Sequence, residues 1–342
     1  MKSLHVSTWD VRGGAARAAG RLLKGLSALG SEAAMIVCRR ESADLRVTSL
    51  ALKQGLAAKI RRGLRRWRIS RERRPYPALG DEGAAPFTTD RSDVGRDLAR
   101  AISGCDVVNL QWVGMFLDYR DFFPGVTDAL PVVWTLHDVN PLTGGCHCNL
   151  GCDRYLQGCG CCPQLDSGDR RDLSASVFRR KLRALGSVRR ERLQVVAPSR
   201  WLGDMAGRSP LLGRFPVAVI PNALDTEEYQ PRERKTAREA LGLPADALVL
   251  LFVADRLGST HKGFPLLLDA LEGLEERERI WLVTATGDAV APESAARSLH
   301  LPGIRNDRVL SLVDSAADVF VIPSLQDNLP NTVMEALACG TP

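Results

Sequence analysis

Six of the nine cysteines fall within residues 144–165, which read GGCHCNLGCDRYLQGCGCCPQL. Thiolates are ligands of zinc and of iron–sulfur clusters, and the spacing Cys-x2-Cys is typical of half a tetrahedral zinc site. Cys159 and Cys162 have that spacing, and Cys146 and Cys152 supply a looser second half. Three interpretations remain open: a structural zinc site, thiols that are reduced or joined in disulfides, and an iron–sulfur cluster.

A second group of residues with chemical potential lies in RLGSTHKG, which follows a buried apolar run. Arg256 and Lys262 belong to this loop, just before a predicted helix. Two cations beside a helix N-terminus can hold a diphosphate and stabilise the charge that develops when it leaves. The plainer alternative is a pair of solvated surface cations.

The stretch PSLQDNLPNTVMEALACGTP combines backbone amides with carboxylates. A helix is predicted to begin near Pro330, and the amides of Leu329, Asn331 and Thr332 can point at an anion there. Glu335, in the second turn, can accept hydrogen bonds from sugar hydroxyls. A capped helix with a surface glutamate is the alternative.

Glycines and a histidine mark two further loops. Gly13–Gly14 follows the first predicted strand, and glycine lets a phosphate or sugar approach the backbone closely. His137 ends another apolar run, in TLHDVNPLTGG. Taken singly these signals are weak, because tight turns and buried core histidines give the same pattern.

Alternating strands and helices are predicted to position these loops. The strand candidates are 4–8, 33–38, 106–110, 131–136, 193–197, 217–220, 248–253, 280–284 and 319–322. Strands interleaved with helices predict an α/β architecture with parallel sheets, in which ligands bind at the carboxyl ends of the strands. The length of 342 residues indicates two domains, 1–228 and 229–342.

Composition and targeting signals suggest a compartment. The N-terminus lacks the apolar core of a secretory signal, and no run approaches the length of a membrane span. We therefore expect a cytoplasmic protein, in which clustered thiols hold metal more often than they form disulfides.

The net charge of +6 is concentrated between Lys53 and Arg74, where ten Lys or Arg residues accompany the single acid Glu72. Wound as a helix, this segment has an apolar stripe and a basic face. The stripe consists of Leu52, Leu56, Ile60, Leu64 and Trp67, and the other side is lined by Arg61, Arg62, Arg65, Arg66 and Arg68. The favoured interpretation is a helix packed on the domain by its apolar stripe, with a solvated basic face. A helix on an anionic membrane surface comes next, and a nucleic-acid patch last.

Taken together in order along the chain, these loops resemble the retaining glycosyltransferases of family 4. PSLQDNLPNTVMEALACGTP is similar to that family's E-x7-E segment, RLGSTHKG to its diphosphate clamp, and VIPNALDTEEYQP to its interdomain linker. HDVNPLTGGC with the cysteines that follow is similar to a subgroup of bacterial polysaccharide biosynthesis. The resemblance implies the GT-B fold, with two facing Rossmann-like domains.

The resemblance also implies roles for individual residues in the first domain. Gly14 would lie in the glycine loop, and His137 would contact the donor sugar. Gln111 stands where relatives tend to have histidine, on the acceptor side. The four cysteines carried by the subgroup are Cys146, Cys152, Cys159 and Cys162, so Cys148 and Cys161 are additional.

In the second domain, Arg256 and Lys262 would hold the donor diphosphate and Glu335 its ribose. Asp327 stands in place of the first glutamate, near the transferred sugar, so this chain reads D-x7-E. Family members continue beyond the position of Pro342, which predicts that the second domain is incomplete.

The function implied is retaining transfer of a hexosyl group from a nucleotide-diphosphate sugar to a lipid-linked or saccharide acceptor in polysaccharide biosynthesis. No catalytic metal is expected, because the cations and the helix N-terminus neutralise the leaving group. Peripheral contact with the anionic inner face of the membrane is also predicted. The rival hypothesis is a catalytically impaired, zinc-stapled basic protein that binds anionic lipid or nucleic acid.

Overall fold

The computed structural model describes residues 1–80, 83, 85–102, 104–126, 128, 130–289 and 297–342. They divide into two compact units, Met1–Ala223 and Leu224–Pro342. The expected division at 228/229 lies slightly inside the second unit. Leu224 packs with the second unit's buried Tyr229, and Glu228 pairs with Arg308 at 2.8 Å. These contacts attach the linker residues to the second unit.

The first unit is built on a parallel sheet. Its strands are β1 (Lys2–Trp9), β2 (Glu32–Arg39), β3 (Val47–Ser49), β4 (Val107–Leu110), β5 (Val132–Thr135), β6 (Leu193–Ala197) and β7 (Val217–Val219). Among the described residues these seven strands have the order β3-β2-β1-β4-β5-β6-β7. Strands covered on both faces need nearly continuous apolar sequence, which is why the runs at β4 to β6 could be found from the sequence.

The described part of the first unit also contains six α-helices. They are α1 (Gly14–Ala28), α2 (Leu56–Arg73), α3 (Arg96–Ala101), α4 (Tyr119–Val126), α5 (Leu173–Gly186) and α6 (Arg200–Arg208). The core is aromatic at its centre. Trp134 of β5 is fully buried and lies 5.7 Å from the ring of Tyr119 and 5.6 Å from that of Phe123 in α4.

The second unit contains a smaller parallel sheet with the order β10-β9-β8-β11 in the described residues. The elements are α7 (Arg234–Leu241), β8 (Leu248–Val253), α8 (Phe264–Glu272), β9 (Ile280–Thr286), β10 (Arg297–Pro302), α9 (Asp307–Ala316), β11 (Val319–Phe320) and α10 (Asn331–Ala338). Alternate residues of β8 enter different clusters: Val249 and Leu251 pack on one face, and Phe252 packs against Phe264 on the other. The predicted α/β class with parallel sheets is confirmed.

Helix α2 is oriented opposite to the favoured expectation. The four stripe residues within α2, Leu56, Ile60, Leu64 and Trp67, are exposed rather than packed on the domain. Leu52, the fifth residue of the predicted stripe, precedes the helix and packs against the core of the first unit. Arg65 instead faces the protein. Its guanidinium pairs with Asp118, which directly precedes α4, and with Asp121 in the first turn of α4. The packed-stripe interpretation is therefore wrong, because ion pairs and not apolar contacts fix this helix.

Across the described residues, no helix is both long enough and apolar enough to cross a bilayer.

Candidate functional site

In the first unit, the carboxyl ends of β4 and β5 bring Gln111 and His137 together with His5 of β1. Nε2–H of His137 donates to Oε1 of Gln111 at 2.8 Å, and Nε2 of Gln111 donates to Nδ1 of His5 at 3.3 Å. The amide orientation, inferred from these partners, fixes the tautomer of each ring. His137 therefore offers Nδ1 as an acceptor.

Burial keeps both histidines neutral. It lowers the pKa of His5 to about 4, and it lowers the pKa of His137 to about 4 although the neighbouring Asp138 opposes the shift. Gln111 is only 2% exposed and both ends of its amide are engaged. Its predicted place on the acceptor side is untested. The structure adds a positioning role that the sequence did not suggest.

The residues after His137 form a second network. Asp138 accepts hydrogen bonds from Nε1 of Trp112 at 2.7 Å and from Nδ1 of His147 at 2.6 Å. The hydroxyl of Thr88 lies 2.8 Å from Nε2 of His147. Burial alone would raise the pKa of Asp138, but His147 and these donors outweigh it and hold that pKa below its usual range. Neither Asp138, in HDVN, nor His147, in CHC, was predicted as a functional residue from the sequence.

A buried lysine closes the same region. Lys181 of α5 is 0% exposed, and its Nζ donates to the backbone oxygen of Asn140 at 2.6 Å, its Oδ1 at 3.1 Å and the backbone oxygen of Thr143 at 3.2 Å. Burial lowers the pKa of Lys181 to about 8, although nearby acids oppose the shift. In an amphipathic helix pattern this residue looks like an ordinary surface lysine, so the sequence could not reveal it.

The four cysteines predicted as ligands line one small cavity. Cys146, Cys152, Cys159 and Cys162 surround it together with backbone and aromatic groups, and Gly144 donates its N–H to Sγ of Cys159 at 3.2 Å. Burial raises the pKa of Cys146 to about 12 and that of Cys159 to about 11. All four are free thiols.

These thiols fit zinc by chemical type and by their shared cavity. In the described part of the chain, however, no three His, Cys, Asp or Glu side chains already stand in a metal-binding arrangement. Cys161 donates its thiol to the backbone oxygen of Gly168 at 3.2 Å. The zinc site remains a prediction.

Helix α1 begins at the second residue of the glycine pair. Gly13 caps the helix without a side-chain hydrogen bond and has φ 84°, a left-handed value that favours glycine. The structure places Gly14 as the first residue of α1, at the carboxyl end of β1. The glycine loop therefore has the predicted strand–loop–helix setting.

In the second unit, the structure brings two predicted residues into direct contact. Nζ of Lys262 lies 2.5 Å from Oδ2 of Asp327, so the cation predicted for the diphosphate clamp and the acid predicted to lie near the sugar form an ion pair. The backbone also joins the two loops, since Leu325 donates its N–H to the oxygen of His261 at 2.9 Å.

Close packing reinforces this junction. Gly263 has φ 72°, and a Cβ built there would lie 2.0 Å from the backbone oxygen of Pro323. The segment RLGSTHKG, residues 256–263, is called the clamp loop below. Only glycine allows it to approach the loop after β11 this closely. Arg256, the other predicted cation, is exposed in the loop that follows β8.

The predicted helix after this loop is present as α10, with Pro330 at its N-cap. Leu329 directly precedes the cap, and Asn331 and Thr332 form the first turn, so their amides have the predicted placement. Glu335 is buried in the second turn. Its predicted contact with a ribose is untested.

Two further polar side chains lie close in sequence to the predicted residues of this junction, and no sequence pattern predicted a role for them. Nδ1 of His261 and Oγ of Ser324 are buried, and neither has a hydrogen-bond partner among the described residues. Buried polar groups are normally paired, so unpaired ones near strand ends are candidates for ligand contacts. Their signal was positional: His261 precedes Lys262, and Ser324 follows the β11 strand.

Comparison with known proteins shows what the second unit is similar to. Residues 247–342, which include every predicted donor residue of the second unit, match the family model described as "Glycosyl transferases group 1". "D-inositol 3-phosphate glycosyltransferase" of Xylanimonas cellulosilytica is 35% identical over 143 residues, which cover 37% of this chain and 34% of that relative. These similarities support a relationship between the second unit and the group 1 glycosyltransferase family.

Two further proteins extend the comparison. "Putative teichuronic acid biosynthesis glycosyltransferase TuaC" of Bacillus subtilis is 30% identical over 173 residues, covering 49% of this chain and 41% of that protein. The solved structure of Anabaena HepE in complex with UDP and glucose has a TM-score of 0.59 at 14% identity, covering 100% of this chain and 79% of that one. This likeness shows the fold. The chain spans about a third to two fifths of the length of these curated relatives.

Proposed function

We propose that this protein is a glycosyltransferase that moves a hexosyl group from a nucleotide-diphosphate sugar to a lipid-linked or saccharide acceptor. The observation that carries the proposal is the junction of the clamp loop with the loop before α10, where Lys262 and Asp327 meet. It lies inside the segment that matches the group 1 family.

The proposed donor site is electrostatic. Lys262, Arg256 and the first-turn amides of α10 would face the diphosphate and stabilise its charge as the glycosidic bond breaks. Asp327 would keep the ammonium of Lys262 in place and approach the transferred sugar. Glu335 would accept hydrogen bonds from the ribose.

The unpaired groups fit the same ligand. Nδ1 of His261 and Oγ of Ser324 are buried beside these residues without partners in the described chain. Hydroxyl and phosphate oxygens are suitable partners for both groups. In the first unit, Nδ1 of neutral His137 would accept a hydrogen bond from a hydroxyl of the donor sugar.

Retention is part of the proposal. The residues offer leaving-group stabilisation and positioning, which suit departure and attack on the same face of the sugar. The cations would neutralise the diphosphate without help from a metal ion. The solved structure of HepE, which has a similar fold, holds UDP and glucose, so a uridine diphosphate sugar is the first donor to try.

We further propose that Cys146, Cys152, Cys159 and Cys162 hold a structural zinc ion. A closed shell of four thiolates has no position for substrate, so the ion would stabilise the loop and take no part in sugar transfer. Work at the inner, cytoplasmic face of a membrane and a role in polysaccharide biosynthesis complete the proposal.

Donor binding is tested by thermal unfolding of the full chain with a panel of nucleotide sugars, each compared with its free nucleoside monophosphate. We expect a nucleoside-diphosphate sugar to raise the midpoint and the monophosphate to have little effect, because the clamp grips the diphosphate. A panel that leaves the midpoint unchanged, while anionic vesicles or nucleic acid still bind, would favour the rival binding protein.

A further inference from the structure

The outer face of α2 is apolar and exposed. The exposed fractions of Leu56, Ile60, Leu64 and Trp67 are 75%, 54%, 53% and 56%. At about 100° per residue these four side chains fall within roughly 80° of arc, so they form one continuous stripe along the helix. Ala58 is the buried residue of this helix. A stripe of large apolar side chains in water indicates an interaction surface.

The inner face explains why the stripe points outward. Arg65 pairs with Asp118 at 3.0 Å and also with Asp121, while Arg66 pairs with Asp93 at 2.5 Å. These contacts fix the rotation of the helix about its axis. The exposed stripe is therefore a consequence of the folded structure rather than of a loose helix.

A second set of inward contacts holds the C-terminal half. Glu72 pairs with Arg91 at 2.5 Å and with Arg180 of α5 at 3.3 Å. Arg73 donates to the backbone oxygen of Phe87 at 2.9 Å. Glu72 is the single acidic residue of α2, which the structure describes completely, and these ion pairs hold its carboxylate on the side that faces the protein.

Cations border the stripe on both sides. Lys59 lies on one edge and Arg61 and Arg68 on the other, all exposed. The guanidinium of Arg71 stacks 5.3 Å above the ring of Trp67. Within α2, which the structure describes completely, no carboxylate faces outward. The surface therefore combines apolar side chains with a uniformly positive rim.

We propose that α2 docks in the plane of an anionic lipid bilayer, with Leu56, Ile60, Leu64 and Trp67 among the acyl chains and the cations at the headgroups. Apolar side chains flanked by Lys and Arg, with tryptophan at the boundary, match the bilayer interface. Nucleic acid would match the charge but not the apolar stripe. A second copy would match the stripe but bring two positive rims together.

This inference deepens the proposed work at a membrane face, on which it rests, by naming the docking surface, but it does not depend on sugar transfer. The docking residues all lie on α2 of the first unit, whereas donor binding is assigned mainly to the second. A failure of vesicle binding would therefore leave nucleotide-sugar binding unaffected, and the two tests can fail separately.

The experiment measures partition of the full chain onto vesicles of phosphatidylcholine alone or with about a third phosphatidylglycerol. The apolar variant is Ile60→Gln with Leu64→Gln, and the charge variant is Arg61→Gln with Arg68→Gln. Leu45→Gln is the control, since Leu45 is an exposed leucine outside α2. Because the substituted side chains are exposed, thermal unfolding should match that of the unmodified protein.

We expect binding to the anionic vesicles that weakens with salt, and at least about tenfold weaker partition for each α2 variant. Lipids brominated on their acyl chains should quench tryptophan emission, and Trp67→Phe should remove most of that quenching. Leu45→Gln should bind like the unmodified protein.

Three results would overturn the proposal. The first is partition that neither α2 variant changes. The second is concentration-dependent dimerisation in solution that Ile60→Gln with Leu64→Gln abolishes, which would make a second copy the occupant. The third is binding to RNA or DNA that depends on Arg61 and Arg68 but not on the apolar pair.

Discussion

The two units end their strands in loops of different character. In the first, the residues after β4 and β5 are joined to one another: Asp138 holds Trp112 and His147, and Lys181 holds the turn at Asn140. In the second, one ion pair and one backbone hydrogen bond join the loops, and Nδ1 of His261 and Oγ of Ser324 have no partner among the described residues.

The difference separates two ways of preparing a site. A closed hydrogen-bond network fixes geometry before any ligand arrives, so its disruption should appear first as lost stability. A junction with unpaired hydrogen-bonding groups can form further hydrogen bonds when a ligand binds, so its disruption should appear as lost affinity for the ligand. Substitutions in the first unit should therefore lower stability, and substitutions at the second unit's junction should lower ligand affinity.

The largest effect is expected for the cysteines, where the first unit would be held by metal. Protein purified under reducing conditions should contain about one zinc per chain, and Cys159→Ser should remove most of it, because a structural zinc site contributes folding free energy directly. Cys161→Ser is the matched control and should retain the metal. Elemental analysis with chemical unfolding checks both. Metal-free unmodified protein would contradict the site.

Lys181→Met tests the closed network next. It removes three hydrogen bonds to buried oxygens of Asn140 and Thr143, and the free energy of unfolding should fall by about 3 kcal/mol. Denaturant titration measures the loss, with exposed Lys235→Met as control. Equal midpoints for the two variants would show that the network contributes no stability.

Lys262→Ala should act in the opposite way. Donor affinity should weaken by about 1.5–3 kcal/mol, the range for hydrogen bonds to charged groups, while stability changes little because Lys262 is only partly buried. Calorimetry with the best donor of the panel provides the measurement, again with Lys235→Ala as control. Unchanged donor affinity would remove Lys262 from the clamp.

The smallest effect concerns pH. His5 and His137 have pKa values lowered to about 4, so between the unfolded value of about 6.5 and pH 4 the unfolded chain binds protons that the folded chain does not. Stability should therefore fall with acidification, by about 1.4 kcal/mol per histidine at about pH 5.5. His137→Gln should flatten this slope. Parallel pH profiles would contradict the neutral assignment.

The strands that could be predicted from the sequence are those whose residues are mostly apolar and at least partly buried. Leu193–Ala197 and Leu248–Val253 match the predicted ranges because continuous apolar runs have few alternatives in a parallel sheet. β3 has three residues, and β10 mixes Arg, Ser and His with its apolar residues, so neither gave a clear signal. Helix α10 was predictable from its proline and its periodicity.

The site was predictable only in part, for a physical reason. Periodicity locates the stripe on α2 but does not say which side faces the protein, and that was decided by the distant carboxylates Asp118 and Asp121. Likewise, the burial of Lys181 depends on oxygens about forty positions away in the chain. The approach of Lys262 to Asp327 depends on how two loops pack, which no local pattern records.

The contact of Gly263 with Pro323 has a consequence for protein engineering. Because the clamp loop lies directly on the loop after β11, neither can be exchanged alone for the corresponding loop of a group 1 glycosyltransferase without a mismatch at the shared surface. A transplant intended to change the donor would have to carry residues 256–263 and 323–330 as one cassette, with the glycine retained. A bulkier residue at position 263 would push the two loops apart and separate Lys262 from Asp327.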